Sequence, residues 1–104
     1  MSKKSRNKGA TYEREVCHIL EDNLGFEVKR NLDQTREGGN DITIRNFRIE
    51  CKRRAKIGVY DFMKQAEDSC NEGEVPVVIM RADREESLML VRLKDGINLL
   101  RESL

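Results

Sequence analysis

The stretch Gly38-Gly39-Asn40-Asp41-Ile42-Thr43-Ile44-Arg45-Asn46-Phe47-Arg48-Ile49-Glu50-Cys51-Lys52-Arg53 decides the fold. Apolar and polar residues alternate along it, which predicts two short strands, 41–44 and 47–53, joined at Arg45-Asn46. In the second strand Phe47, Ile49 and Cys51 fall on one face, while Arg48, Glu50 and Lys52 fall on the other. A tight hairpin brings Asp41, at the start of the first strand, beside Glu50 and Lys52. Two carboxylates and an ammonium on one strand surface are costly to bury without a purpose.

Working outward, the residues before the hairpin form a polar loop, 33–40, with two glycines. Before that, 26–32 alternates and predicts a further strand. Tyr12, Val16, Ile19, Leu20 and Leu24 recur at helical spacing after Thr11, an N-cap candidate, and Gly25 offers a C′ residue, so a helix is expected over 11–24. Residues 1–10 are basic and lack apolar periodicity, as expected of a flexible arm.

After the hairpin, Val59, Phe62, Met63, Ala66 and Cys70 mark a second amphipathic helix that stops near Gly73. The apolar run 75–80 suits a central strand covered on both faces. A last strand is expected over 87–93 and a short helix or extended tail over 97–104. The order α-β-β-β-α-β-β predicts an α/β (α+β) domain, a mixed sheet flanked by helices. The strand reached through the second helix is placed to run parallel to a neighbour.

The chain has 104 residues and a formal net charge of +1, enough for one domain over 11–104 behind the arm. The charge is unevenly distributed. Residues 1–64 carry 15 basic and 10 acidic side chains, while 65–104 carry 5 and 9, which suggests one polyanion-facing side. No apolar run is long enough for a membrane span, and no signal peptide is evident. Cys17, Cys51 and Cys70 are widely spaced without a C-x-x-C pair, which fits small apolar residues in a reducing cytoplasm.

The convergent carboxylates of Asp41 and Glu50 make an oxygen-rich site suited to Mg²⁺, with Mn²⁺ as a substitute, because this ion takes few protein ligands beside water and substrate phosphates. The Lys52 ammonium could orient the attacking water or contact a scissile phosphate. Metal-assisted phosphodiester hydrolysis uses those parts. A solvated hairpin with an outward Arg48, Glu50 and Lys52 is the plainer reading of an isolated Glu-x-Lys.

The combination of Lys8-Gly9 with Glu13 in the first helix, Gly38-Gly39-Asn40-Asp41, Glu50-Cys51-Lys52, and a helix leading to an apolar strand with Pro76 resembles the PD-(D/E)XK nuclease superfamily. Within it, the chain is similar to archaeal-type Holliday junction resolvases and their phage-encoded relatives. The resemblance covers most of the chain and implies a restriction-endonuclease-like fold. It further implies that Asp41, Glu50 and the Cys51 carbonyl hold the metal, that Lys52 is the catalytic lysine, and that Glu13 assists metal or water binding. It departs at Asn40, where the family has proline; Asn also holds a turn. Acting on the two equivalent strands of branched DNA would suit a homodimer.

Lys3, Lys4, Arg6, Lys8, Arg30, Arg36, Arg53, Arg54 and Lys56 are the candidate DNA contacts, giving salt-dependent affinity with little sequence preference. Thr35 and Gln65 are possible accessory residues. His18, Glu15, Tyr12, Tyr60 and the phenylalanines read as surface or packing positions. The rival is a non-catalytic nucleic-acid-binding module, either a double-stranded RNA-binding domain with its α-β-β-β-α order or a degenerate nuclease.

Overall fold

The computed structural model describes the backbone of residues 3–32 and 41–104, with side chains from residue 9 onward. The elements run α1 (Lys3–Leu24), β1 (Ile42–Ile44), β2 (Phe47–Arg53), α2 (Val59–Asp68), β3 (Val75–Arg81), β4 (Leu88–Leu90) and α3 (Leu93–Glu102). The strands form one sheet in the order β1-β2-β3-β4. β1 and β2 are an antiparallel hairpin with Ile42 opposite Ile49 and Ile44 opposite Phe47. β2 and β3 pair in parallel along their whole length, from Phe47 with Val75 to Arg53 with Arg81, and β4 closes the far edge antiparallel to β3. The sheet is therefore mixed, as the helical connection between β2 and β3 predicts.

β3 is apolar throughout because both of its faces are covered. Val77 and Ile79 pack with Tyr12, Val16 and Cys17 of α1, with Ile42 and with Ile49. Val78 and Met80 pack on the opposite side with Phe62, Met63 and Ala66 of α2. β2 shares only the first of these environments. Its Phe47, Ile49 and Cys51 join the α1 side, whereas Glu50 and Lys52 lie on the α2 side, and α2 packs chiefly on β3 rather than β2. Glu50 and Lys52 therefore lie at the margin of the α2 contact rather than beneath its centre.

The structure corrects the expected order at three places. α1 begins at Lys3, not Thr11, so most of the segment read as an arm has helical backbone. Lys, Arg and Ala are good helix formers, and a helix anchored by Tyr12 and Val16 extends at one hydrogen bond per residue without needing an apolar stripe. Residues 26–32 form no strand: among them only Arg30 bridges the sheet, opposite Ile42, although Val28 is buried. β1, the edge available to that segment, is three residues long, which limits the pairing it can template. The last strand is shorter than expected and α3 begins at Leu93. The 4-3 spacing of Leu93, Ile97 and Leu100 is a helical period that starts at the end of the stretch expected to be a strand. The observed order is α-β-β-α-β-β-α.

Gly25 ends α1 as its sequence position suggests, with φ +80° and its N–H donated to the Glu21 carbonyl at 2.9 Å. Tyr12 is buried, with its hydroxyl 2.7 Å from Ser87 Oγ. Tyr60 and Phe26, read as packing residues, are instead exposed, Tyr60 to 73%. All three cysteines are free thiols, Cys17 buried and the others partly so. Among the described residues no helix is long and apolar enough to cross a membrane.

Candidate active site

The hairpin positions Asp41 through its main chain. Its N–H donates to the Ile49 carbonyl at 3.0 Å, and its carbonyl accepts from the Asn31 N–H at 2.7 Å. Asp41 lies just before β1, next to the Ile42–Ile49 pair. The Asp41 carboxylate reaches across the hairpin, where Oδ2 accepts the Cys51 N–H at 2.8 Å. The side chain is thus held by the strand that carries Glu50 and Lys52. Asp41 and Glu50 are each 9% exposed, the two buried charged residues among those described.

Lys52 lies two residues beyond Glu50 on the same face, as strand geometry requires. Its Nζ is 3.8 Å from Glu50 Oε2, with side-chain exposures of 13% and 11%. Glu13 of α1 approaches from the other side of the sheet and receives the Arg30 Nε–H at 3.3 Å. The Cys51 thiol registers this gathering of negative charge: burial pushes it well above its ordinary value, with Asp41, Glu13, the Cys17 thiol and Glu50 adding in the same direction.

Two buried carboxylates, Asp41 and Glu50, are carried by this hairpin, and among the described residues no group of three or more His, Cys, Asp or Glu side chains is built as a metal cage. Hard oxygen donors in small number fit Mg²⁺, which keeps several waters and takes substrate phosphate as a ligand, better than they fit a softer ion.

The candidate DNA contacts divide on inspection. Arg54 and Lys56 are exposed beyond the end of β2. Arg53 is engaged with Asp83, Nη1 to Oδ1 at 2.6 Å, and Arg30 with Glu13. Gln65 is exposed on α2, one turn after Phe62. Thr35 and Arg36 lie outside the described residues, as do the side chains of Lys3, Lys4, Arg6 and Lys8. His18 is exposed beside Glu21 at 3.7 Å, and Glu15 is 3.8 Å from Arg81. The sequence reading treated Phe62 as packing alone. In the structure Lys52 Nζ and Arg54 Cζ stand over its ring, at 5.6 and 5.9 Å from the centroid. Nothing local in the sequence signals this, because it depends on how α2 settles against β2.

A hairpin, a parallel crossover and a four-stranded mixed sheet with flanking helices are compatible with the restriction-endonuclease-like fold. Residues 4–103 match the family described as "Phage putative PDDEXK endonuclease". The chain belongs to this family, and so to the PD-(D/E)XK nucleases. No curated protein and no solved structure matched it. The double-stranded RNA-binding alternative needs three strands between its two helices, and the described chain has two, followed by a parallel third after α2.

Proposed function

We propose that the chain is a Mg²⁺-dependent DNA endonuclease that hydrolyses phosphodiester bonds in branched DNA, in the manner of the Holliday junction resolvases it resembles. The observation that carries this reading is the Asp41 carboxylate held by the N–H of Cys51, the residue between Glu50 and Lys52, with Lys52 Nζ 3.8 Å from Glu50 Oε2. Asp41, Glu50 and the Cys51 carbonyl would hold Mg²⁺, or Mn²⁺ in its place. The ion would supply positive charge to the phosphate undergoing attack.

The chain's own groups do the rest. The Lys52 ammonium, held beside Glu50, hydrogen-bonds the attacking water or a phosphate oxygen as negative charge develops there. The Asp41 carboxylate keeps its aim through the Cys51 N–H, so little reorganisation is needed on binding. Glu13 adds negative charge from α1 and is oriented by Arg30. Arg54 and Lys56 face solvent next to the site, where they can neutralise the DNA backbone without reading bases. A symmetric junction offers two equivalent strands, which a pair of these chains would cut, one site to each.

The test sets a synthetic four-way junction beside a flap and a linear duplex of the same sequence, with Mg²⁺, Mn²⁺ or chelator. Cleavage of the junction in excess over the duplex, abolished by chelator, is the expected result. Equal cutting of all three removes the preference for branched DNA. Binding without cutting under every condition removes the enzyme in favour of a nucleic-acid-binding module.

A further inference from the structure

The Phe62 ring is 8% exposed and belongs to the core between α2 and the sheet, together with Met63, Ala66, Val78 and Met80. At its edge it also meets two cations, the Lys52 ammonium at 5.6 Å and the Arg54 guanidinium at 5.9 Å from its centroid. Lys52 Nζ is at the same time 3.8 Å from Glu50 Oε2. The ammonium is therefore supported by a carboxylate and by an aromatic face. A ring quadrupole attracts a cation more strongly where water is scarce, and this lysine side chain is 13% exposed.

We infer that Phe62 is a positioning residue whose ring holds the Lys52 ammonium on the α2 face of β2. This rests on the nuclease reading for what the lysine does. Lysine has a flexible four-carbon stem and a point charge that can point in many directions. A Glu50 carboxylate engaged by Mg²⁺ has less negative charge to offer its neighbour. The ring keeps its attraction for the ammonium whatever Glu50 binds. A leucine at this position would fill much of the apolar site without supplying the quadrupole. The arrangement also explains why an aromatic side chain, rather than another aliphatic one like Met63 or Val78, occupies the place where the core meets the polar face of β2.

The test replaces Phe62 in the full chain with mono-, di- and trifluorinated phenylalanine, which drains the ring's negative face with little change in volume. The single-turnover rate of junction cleavage should fall stepwise, by roughly 3- to 30-fold at the trifluorinated end. The thermal midpoint and the DNA affinity measured in Ca²⁺ should stay nearly constant. Phe62→Tyr should retain the rate, and Phe62→Leu should lose at least as much as the trifluorinated protein. A second readout does not depend on cleavage: the Lys52 ε-methylene protons should be shifted upfield by the ring and return to ordinary positions in Phe62→Leu. A flat rate across the fluorinated series, in a wild type that cleaves, overturns the positioning role and leaves the nuclease reading standing. A wild type that cleaves nothing overturns the nuclease reading, and the ring-current shift then decides whether the ring holds the ammonium. Lys52 protons at ordinary positions in the wild type overturn the contact itself.

Discussion

β2 and β3 run side by side in parallel register, and on the α2 face they carry opposite chemistry. Glu50 stands next to Val78, and Lys52 next to Met80. Val78 and Met80 are buried against Phe62, Met63 and Ala66, as a sheet face under a helix should be. The fold accommodates apolar residues at these depths one strand away, so it does not itself demand a carboxylate and an ammonium on β2. On its other face β2 behaves like β3, with Ile49 buried beside Val77 and Ile79. The difference separates the part of β2 that serves stability from the part that opposes it. Charges kept at such a depth cost free energy unless paired and hydrogen-bonded, and here Glu50 and Lys52 pair with each other while Asp41 accepts the Cys51 N–H.

The comparison breaks most sharply at the carboxylates. Glu50→Gln or Asp41→Asn should abolish metal-dependent cleavage, by at least about 10³-fold, because a metal ligand provides several kcal/mol of transition-state charge stabilisation. DNA affinity in Ca²⁺ should hold or tighten, since a negative charge next to phosphate has gone. Thermal stability should not fall, because neither amide removes apolar contact. Wild-type cutting by either variant would take the site away from this hairpin.

The opposite face should answer in the opposite way. Ile49→Ala removes a buried side chain, 3% exposed, from the α1-side core and should cost about 2–5 kcal/mol in chemical denaturation. Its single-turnover rate, measured where the variant is folded, should stay near wild type. A large rate loss in the folded variant would mean that the two faces are not separable.

Lys52→Ala is next in size. It should lower the single-turnover rate by at least about 10²-fold, the scale of one positioned catalytic group, while changing affinity little. Arg54→Ala should do the reverse, leaving the rate nearly intact and reducing the log–log salt slope of DNA binding by roughly 0.9 if it contacts one phosphate of duplex DNA. Similar effects of the two changes on both measurements would assign Lys52 to binding alone.

The hairpin was legible because its logic is local: a period of two puts Glu50 and Lys52 on one face, and a two-residue connection brings Asp41 back to them. β3 was legible for a similar reason, since six nearly uninterrupted apolar residues need cover on both sides. What escaped depends on partners far away in the chain. The alternation of 26–32 satisfies a strand pattern, yet pairing needs an available edge, and β1 offers a single bridge. Arg53 and Arg30, both expected at the DNA, also form ion pairs with Asp83 and Glu13, across 30 and 17 residues of sequence. Phe62 looked like any apolar residue of an amphipathic helix, and only the offset of α2 toward β3 placed its ring beside Lys52.

The smallest effect concerns the one apolar-face residue of β2 that senses the charges behind it. Burial raises the Cys51 thiol, and Asp41, Glu13, the Cys17 thiol and Glu50 raise it further. The folded protein therefore keeps this proton well above the ordinary thiol value of 9.0, whereas the unfolded chain releases it there. Below that pH both states hold the proton and the contribution is fully present. Above it the unfolded state binds fewer protons, so stability falls with rising pH, by at most about 1.4 kcal/mol per pH unit for one group. Cys17, Cys70 and Tyr12, also raised by burial, act in the same direction. Cys51→Ala should be less stable than wild type at pH 7 through lost packing, and the gap should narrow between pH 9 and pH 10.5 in urea titrations as wild type alone loses this contribution. Cleavage at neutral pH should be nearly unchanged, because the proposed mechanism draws on the Cys51 main chain and not its sulfur. Parallel stability curves would show that the fold does not raise the Cys51 thiol.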